Sequence, residues 1–348
     1  MLTVKDFDFY NKRVLLRCDF NVPITDAGEV IEDFKIRKTL PTIRFLLEKG
    51  AKLILMSHLG DPQGKIVGRL GLKPVFSRLK SDFGAKLIFL IGDYLEIGGR
   101  EKILGLRPGQ AVLLENLRFN PGEMANDKLF AEKLAGLAEI YLNDAFAESH
   151  RRCASISAIA GFLPSGAGLL LEQELKALIK IMIDPQKPLA AVIGGAKAEI
   201  KTGLIEKMSE LADWVLIGGL MEHEIRQKGL KFTYPEKIIY PLDCLENNLD
   251  IGPQTIKLFK EKIALARTVF WNGPLGKIED EKFSNGTKAI AEAVSQNQGL
   301  TVVGGGETVS FINKIGLIDK FSHVSTGGGA MLAFLAGEEM PGLTALGL

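Results

Sequence analysis

"LAAVIGGAKAEIK" (Leu189–Lys201) runs from an apolar stretch through a Gly-Gly turn into the opening of a helix. Its apolar residues do not alternate with polar ones, which is the habit of a strand buried on both faces of a parallel sheet. The layout recurs. In the first half it begins at "RVLLRCDFN" (Arg13–Asn21), "AKLILMSHLG" (Ala51–Gly60), "AKLIFLIGD" (Ala85–Asp93), "AVLLENLRF" (Ala111–Phe119) and "IYLNDAF" (Ile140–Phe146). In the second half the other runs are "WVLIGG" (Trp214–Gly219), "KIIYPLD" (Lys237–Asp243), "TVFWNGP" (Thr268–Pro274), "LTVVGGGET" (Leu300–Thr308) and "FSHVSTGGGA" (Phe321–Ala330). Helical spacing fills Arg37–Lys49, Asp127–Ala138, Glu199–Ala212, Thr255–Ala266 and Gly286–Ser295. Strand and helix in alternation predict a doubly wound α/β fold. So many strands exceed one small open sheet, so two three-layer αβα domains with parallel sheets are expected. "GLLLEQELKALIKIMIDP" (Gly168–Pro185) reads as a long helix connecting them.

A chain of 348 residues has room for about two domains. With 43 basic and 42 acidic side chains the net charge is +1, which gives no pull toward nucleic acid or an anionic membrane. No apolar run reaches the roughly 18 residues of a membrane span, and the N-terminus lacks a signal-peptide layout. The cysteines at 18, 153 and 244 match no metal-ligand spacing. A cytoplasmic location fits that usage.

The two halves end their strands differently. The first half ends them on Asp19, Asn21, His58, Arg118, Asn143, Asp144, His150 and Arg151. The second ends them on glycines: Gly194–Gly195, Gly218–Gly219, Gly273, Gly304–Gly306 and Gly327–Gly329. Open α/β sheets bind ligands beyond the carboxyl ends of their strands. One half therefore offers side-chain cations and hydrogen-bonding groups, and the other offers bare backbone N–H groups suited to phosphates. A basic site facing a phosphate cradle is the layout of a phosphotransferase.

Lys197 and Lys201, four residues apart after the Gly-Gly turn, are expected on one helix face beside a phosphate; the plainer reading is a solvated lysine pair. Glu307 in "GGGET" suits Mg²⁺ on a nucleotide, or is simply an acid favoured at a helix start. Asn272 is placed to reach a phosphate and Glu279 a ribose, unless both are loop residues. Asp19, Asn21 and His58 suit the hydroxyl and carboxylate groups of a small acid. Arg118 and the row His150, Arg151, Arg152 point to an anion pocket. Neither G-x-G-x-x-G with a following acid nor G-x-x-x-x-G-K-[ST] is present, which weakens a nicotinamide dehydrogenase and a P-loop enzyme.

Taken together, "RVLLRCDFNVP", "LPTI", "SHLG", "LLENLRF", "NDAF", "GGAK", "LDIGP", "TVFWNGPLG", "GGGET" and "HVSTGGGA" resemble the phosphoglycerate kinase family over nearly the whole chain. The resemblance implies two Rossmann-like domains. Residues 1–167 would bind 3-phosphoglycerate, 168–184 would form the interdomain helix, and 185–334 would bind the nucleotide. Residues 335–348 would pack back on the first domain. It implies reversible phosphoryl transfer between ATP and 3-phosphoglycerate, giving 1,3-bisphosphoglycerate and ADP with Mg²⁺, in a cytoplasmic monomer. The substrate residues it implies are Asp19, Asn21, Lys35, His58, Asp61, Arg118, His150 and Arg151. For the nucleotide it implies Gly195, Lys197, Lys201, Gly219, Asn272, Glu279, Gly305, Gly306, Glu307 and Thr308, with Glu307 on the metal. Lys35 or Arg37, Lys201, Gly327 and Gly328 would stabilise the moving group, and hinge bending would bring the ligands in line.

Several positions depart from the family pattern. Lys35 stands where a catalytic arginine is expected, and Arg37 is two residues on. Asp61 replaces an arginine that helps bind the substrate phosphate, so Arg152 or Arg69 must compensate. Cys153 replaces a histidine, Glu307 an aspartate and Leu220 a glycine, and Met221–Asp250 is short. These departures motivate two rival readings: an impaired nucleotide-binding homologue with a regulatory role, or a kinase for another small carboxylic acid.

Overall fold

The computed structural model describes the backbone of residues 1–348 and every side chain except those of Phe89 and Leu90. The chain divides into two compact units, Met1–Gln173 with Glu339–Leu348, and Glu174–Glu338.

The first unit is built on strands β1 (Arg13–Arg17), β2 (Lys52–Met56), β3 (Leu87–Ile91), β4 (Ala111–Leu114), β5 (Ile140–Asn143) and β6 (Ser165–Ala167). They form one parallel sheet in the order β3-β4-β2-β1-β5-β6. Helices α1 (Phe34–Glu48), α2 (Lys73–Phe83), α3 (Ile97–Leu104), α4 (Pro121–Met124) and α5 (Lys128–Ala135) connect them. Helix α1 shows why these segments fold as they do. Ile36, Leu40, Ile43 and Leu47 recur at three- and four-residue spacing, and all four are buried. They share one core with Val14 and Leu16 of β1 and Leu53 and Leu55 of β2.

Helix α6 (Leu169–Ile183) spans the boundary between the units. Its N-terminus is capped by Asp144, whose Oδ1 accepts from the amides of Leu170 (2.9 Å) and Leu171 (3.2 Å).

The second unit contains β7 (Leu189–Ile193), β8 (Trp214–Ile217), β9 (Ile238–Ile239), β10 (Cys244–Leu245), β11 (Asp250–Ile251), β12 (Thr268–Asn272), β13 (Leu300–Gly304) and β14 (His323–Val324). Its helices are α7 (Ala198–Leu211), α8 (Gly219–Gln227), α9 (Pro253–Leu265), α10 (Asn285–Ser295), α11 (Gly306–Lys314) and α12 (Gly329–Leu335). The six-stranded parallel sheet runs β14-β13-β12-β7-β8-β9, while β10 and β11 form a separate antiparallel pair. The chain winds outward from β7 on one side, then returns to β12 and winds out on the other. The short helix α13 (Pro341–Thr344) ends the chain in the first unit, where the Gly342 amide donates to the Ser149 carbonyl at 2.9 Å.

All eleven predicted strands appear, but most stop before the polar or glycine residues that were read as their ends. The run Arg13–Asn21 leaves strand geometry after Arg17, because the Asp19 carboxylate accepts from the Asn21 amide (3.0 Å) and turns the chain locally. Strand β6, the β10–β11 pair and helices such as α2 and α3 add to the predicted elements.

A methyl group at Gly168 would meet Asp144 Oδ1 at 2.2 Å and displace the cap of α6. Gly168→Ala is expected to destabilise the protein by about 2 kcal/mol in urea denaturation, while Gly98→Ala, with open space around it, costs well under that.

Candidate active site

In each sheet the strand order reverses at one point, and there the loops diverge to leave a crevice. In the first unit the reversal lies between β1 and β5. Asp19 and Asn21 follow β1, His58 follows β2, Arg118 follows β4, and the turn Phe146–Glu148 follows β5. The loop at Gly60 is held by its neighbours. Its amide donates to Asn21 Oδ1 (3.0 Å), and its carbonyl accepts from Arg118 Nη1 (2.9 Å). Asn116 Nδ2 donates to the carbonyls of Leu59 (2.7 Å) and Leu70 (2.9 Å). Lys35 reaches in from α1, with its Nζ 2.7 Å from Asp19 Oδ2. A cavity of about 610 Å³ opens beside this loop, lined by Asn21, Gly60, Arg69 and Lys73 among others.

Beneath the site lies a buried charge cluster that the sequence reading did not single out. Arg17 is wholly buried at the end of β1. Its Nε donates to Ser155 Oγ (2.8 Å), an Nη1 proton goes to the Cys18 carbonyl, and Nη2 lies 3.8 Å from Glu123 Oε1. Glu123, also buried, accepts from the Ser155 hydroxyl (2.6 Å) and amide (3.0 Å). Burial opposes the charge on Arg17, but the carboxylates of Glu123 and Glu148 outweigh it and raise the guanidinium above its ordinary value. The same Nη2 of Arg17 is 3.3 Å from His58 Nδ1. An arginine only donates, so Nδ1 accepts and the ring proton sits on Nε2. Burial, then Arg17, Arg118, Lys35 and Arg151, hold the His58 imidazole well below its ordinary value, so it is neutral. Glu148 closes the cluster, with contacts to Arg118 (2.8 Å), Arg151 (3.5 Å) and His58 (3.4 Å).

In the second unit the reversal lies between β7 and β12. Gly194–Gly195 follow β7 and Asn272–Gly273 end β12. The Gly194 amide donates to the Asn272 carbonyl (3.0 Å) and the Gly195 amide to the Pro274 carbonyl (2.6 Å). Gly195, Gly273 and Gly305 have φ of +80°, +93° and +97°, a region that favours glycine. A methyl at Gly273 would meet the Gly194 carbonyl at 2.2 Å and Lys201 Nζ at 2.5 Å. Into this cradle reaches Lys201 from α7, donating to the Gly194 carbonyl at 2.6 Å. Burial lowers its pKa to about 8, with Glu307 pulling the other way. Buried Trp271 fixes the same loop, since its Nε1 donates to the Gly273 carbonyl at 2.8 Å.

The turn Gly327–Gly329 opens α12, and its position is set by Glu174 of α6. The Glu174 carboxylate accepts from the Thr326 amide (2.6 Å) and hydroxyl (2.8 Å) and lies 2.8 Å from His323 Nε2. Burial alone would raise Glu174; the hydrogen bonds from His323 and Thr326 hold it below the usual carboxylate range.

Other predicted residues stand apart from these clusters. Arg37 bonds Asp33 (2.8 Å), which also holds Arg78, so Lys35 and not Arg37 joins Asp19. Arg152 pairs with Glu339 at 2.6 Å on the surface, which leaves Arg69, in the cavity lining, to offset the exposed Asp61. His150 is half-buried on the turn beside Arg151. Lys197 does not share a helical face with Lys201. It precedes α7 in a left-handed conformation (φ 67°), exposed, with its amide on Glu224 Oε1 (2.9 Å). Gly219 packs against Asn248, where a methyl would meet the carbonyl at 2.8 Å. Glu279 is exposed in the loop after β12. Gly305, Gly306, Glu307 and Thr308 form the turn into α11.

A lysine caged by glycine backbone in one sheet, and guanidinium groups gathered beyond the other, mark a two-domain phosphotransferase. The family model for phosphoglycerate kinase matches residues 4–233 and 235–338. The chain is 40% identical to the phosphoglycerate kinases of Moorella thermoacetica (389 aligned positions) and Pelotomaculum thermopropionicum (388), with 99% of this chain and 98% of each relative covered. It is similar in structure to the phosphoglycerate kinase of Coxiella burnetii (TM-score 0.86, 34% identity, covering 99% and 98%). The enzyme of Pyrococcus horikoshii gives a TM-score of 0.88 at 33% identity, covering 100% of this chain and 98% of that one. This chain belongs to the phosphoglycerate kinase family. An alignment of 389 positions against 348 residues means that at least 41 positions of the Moorella alignment are absent here.

Two outcomes are expected. Arg17→Met, which strands the buried Glu123 carboxylate, should cost roughly 3–5 kcal/mol in chemical denaturation. Lys201 is charged below its pKa and neutral above it, so kcat/KM for the nucleotide should fall as pH rises through about 8. Lys201→Arg should remove that limb from the pH–rate profile.

Proposed function

We propose that the chain moves a phosphoryl group between ATP and the carboxylate of 3-phosphoglycerate, the first unit binding the acid and the second the nucleotide. The observation that carries this is Lys201, a partly desolvated cation held against backbone glycines at the switch point of its sheet. The nucleophile is a carboxylate, ionised at neutral pH, so no general base is required. Neutral His58 and the Lys35–Asp19 pair then serve to bind and orient the acid. Lys201 neutralises charge on the transferring group, and the amides of the Gly327–Gly329 turn donate to it; catalysis is positioning and electrostatics.

Family membership implies ATP or ADP as ligands and Mg²⁺ in general. The residues fit the metal: Glu307 is an exposed carboxylate on the first turn of α11, and beside it the buried Thr308 hydroxyl lacks a hydrogen-bond partner among the described residues. Mg²⁺ on a nucleotide needs only one or two protein carboxylates, with phosphates and water completing the shell. Glu307 would hold it, and bound there it would neutralise phosphate charge. No helix among the described residues is long and apolar enough to cross a membrane. A cytoplasmic monomer is part of the proposal.

The test is a coupled assay of the purified protein with MgATP and 3-phosphoglycerate, read as NADH oxidation. Turnover is expected, and Lys201→Ala should lower kcat by roughly 10²–10³. A protein that binds MgATP in calorimetry and never turns over would contradict the proposal. Asp61→Arg should tighten 3-phosphoglycerate about tenfold in calorimetry; an unchanged Kd would count against a phosphate near Asp61.

A further inference from the structure

Arg118 and Arg151, which the family resemblance assigns to the acceptor, already share a carboxylate of this chain. Glu148 Oε2 lies 2.8 Å from Arg118 Nη2 and 3.5 Å from Arg151 Nε, and Oε1 lies 3.4 Å from His58 Nε2. The Glu148 side chain is 8% exposed and that of Arg118 is 7%, so solvent and salt screen this pair little. Yet one carboxylate serves these donors incompletely. Arg118 Nε and His58 Nε2 are both buried and make no hydrogen bond among the described residues. Unmade bonds of this kind cost free energy, and here they surround a single two-oxygen acceptor. A phosphate monoester brings three terminal oxygens and up to two charges. It has the acceptor capacity that Glu148 lacks.

We infer that Glu148 is an internal competitor for the phosphate of the acceptor. It occupies the guanidinium groups that the phosphate takes, and the phosphate binds by displacing it. Glu148 thereby sets both affinity and specificity at this end of the site. Only a group that satisfies the donors better than a carboxylate displaces it, so dianionic phosphates are favoured over carboxylates or hydroxyls. The identity of the acceptor rests on the kinase reading; the carboxylate on the arginines does not.

Glu148→Gln keeps the shape of the side chain and removes its charge. In the full-length protein, KM for 3-phosphoglycerate should fall roughly tenfold, the worth of one charge-assisted hydrogen bond. KM for ATP, which binds in the other unit, should stay within about twofold of the parent. Calorimetry with inorganic phosphate should show tightening by a similar factor. A folded Glu148→Gln protein with equal or weaker affinity for both probes would overturn the inference and make Glu148 a strut that merely holds Arg118. Should Gln prevent folding, Glu148→Asp, which withdraws the carboxylate by one methylene, is read in the same way with a smaller gain. If the parent never turns over 3-phosphoglycerate the kinase reading fails, while the inorganic phosphate comparison still decides the role of Glu148.

Discussion

The first unit is organised around one buried charge. Arg17 sits at the end of β1 with no exposure to water, and an unpaired guanidinium there would be prohibitive. Glu123 and Ser155 from one side, Glu148 through its field and His58 through an accepting nitrogen make the position tenable. The consequences reach outward. Because Nδ1 of His58 must accept from Arg17, its tautomer is set; because cations surround the ring, it stays neutral. A neutral imidazole with a fixed donor nitrogen orients a ligand without repelling or trapping a proton.

The second unit solves the opposite problem. Its candidate site is mostly backbone, and what must be controlled is how closely chain segments approach. Gly194 and Gly273 meet so tightly that neither tolerates a side chain facing the other. That closeness brings the half-buried Lys201 amine onto a carbonyl, with a lowered affinity for its proton. The departures from the family pattern leave the glycines and the lysine of this cradle alone; they fall at Lys35, Asp61 and Cys153 of the first unit, in the segment after β8, and at Glu307, whose charge acts on Lys201.

The fold was legible because fully buried parallel strands read as plain apolar runs. Elements that carry no such signal escaped: β6 is only Ser-Gly-Ala, and α3 contains two adjacent glycines and no apolar stripe. Strand ends were read too long, since apolar runs continue into turns that polar side chains close. The glycine turn and Lys201 beside it were legible from "GGAKAEIK", whereas the conformation of Lys197 was not, because a left-handed residue before a helix leaves no trace in spacing. Arg17, Glu123 and Glu148 were missed for a different reason. A charged residue inside "RVLLR" and an acid inside "AFAESHRR" were visible signals of buried pairing, but their partners lie over a hundred residues away for Arg17–Glu123 and ninety for Glu148–His58 in the chain, and only the folded sheet brings them together.

Trp271 lies fully enclosed two residues before Gly273 of the Lys201 cradle, with its indole proton donated to the carbonyl of that glycine. Trp214, the other indole of the chain, stands at the far end of its strand under the Lys262 ammonium. The enclosed indole is therefore a native optical reporter. Any ligand that shifts the β12 loop alters its hydrogen bond and its emission, so occupancy of the cradle is readable in the unlabelled protein.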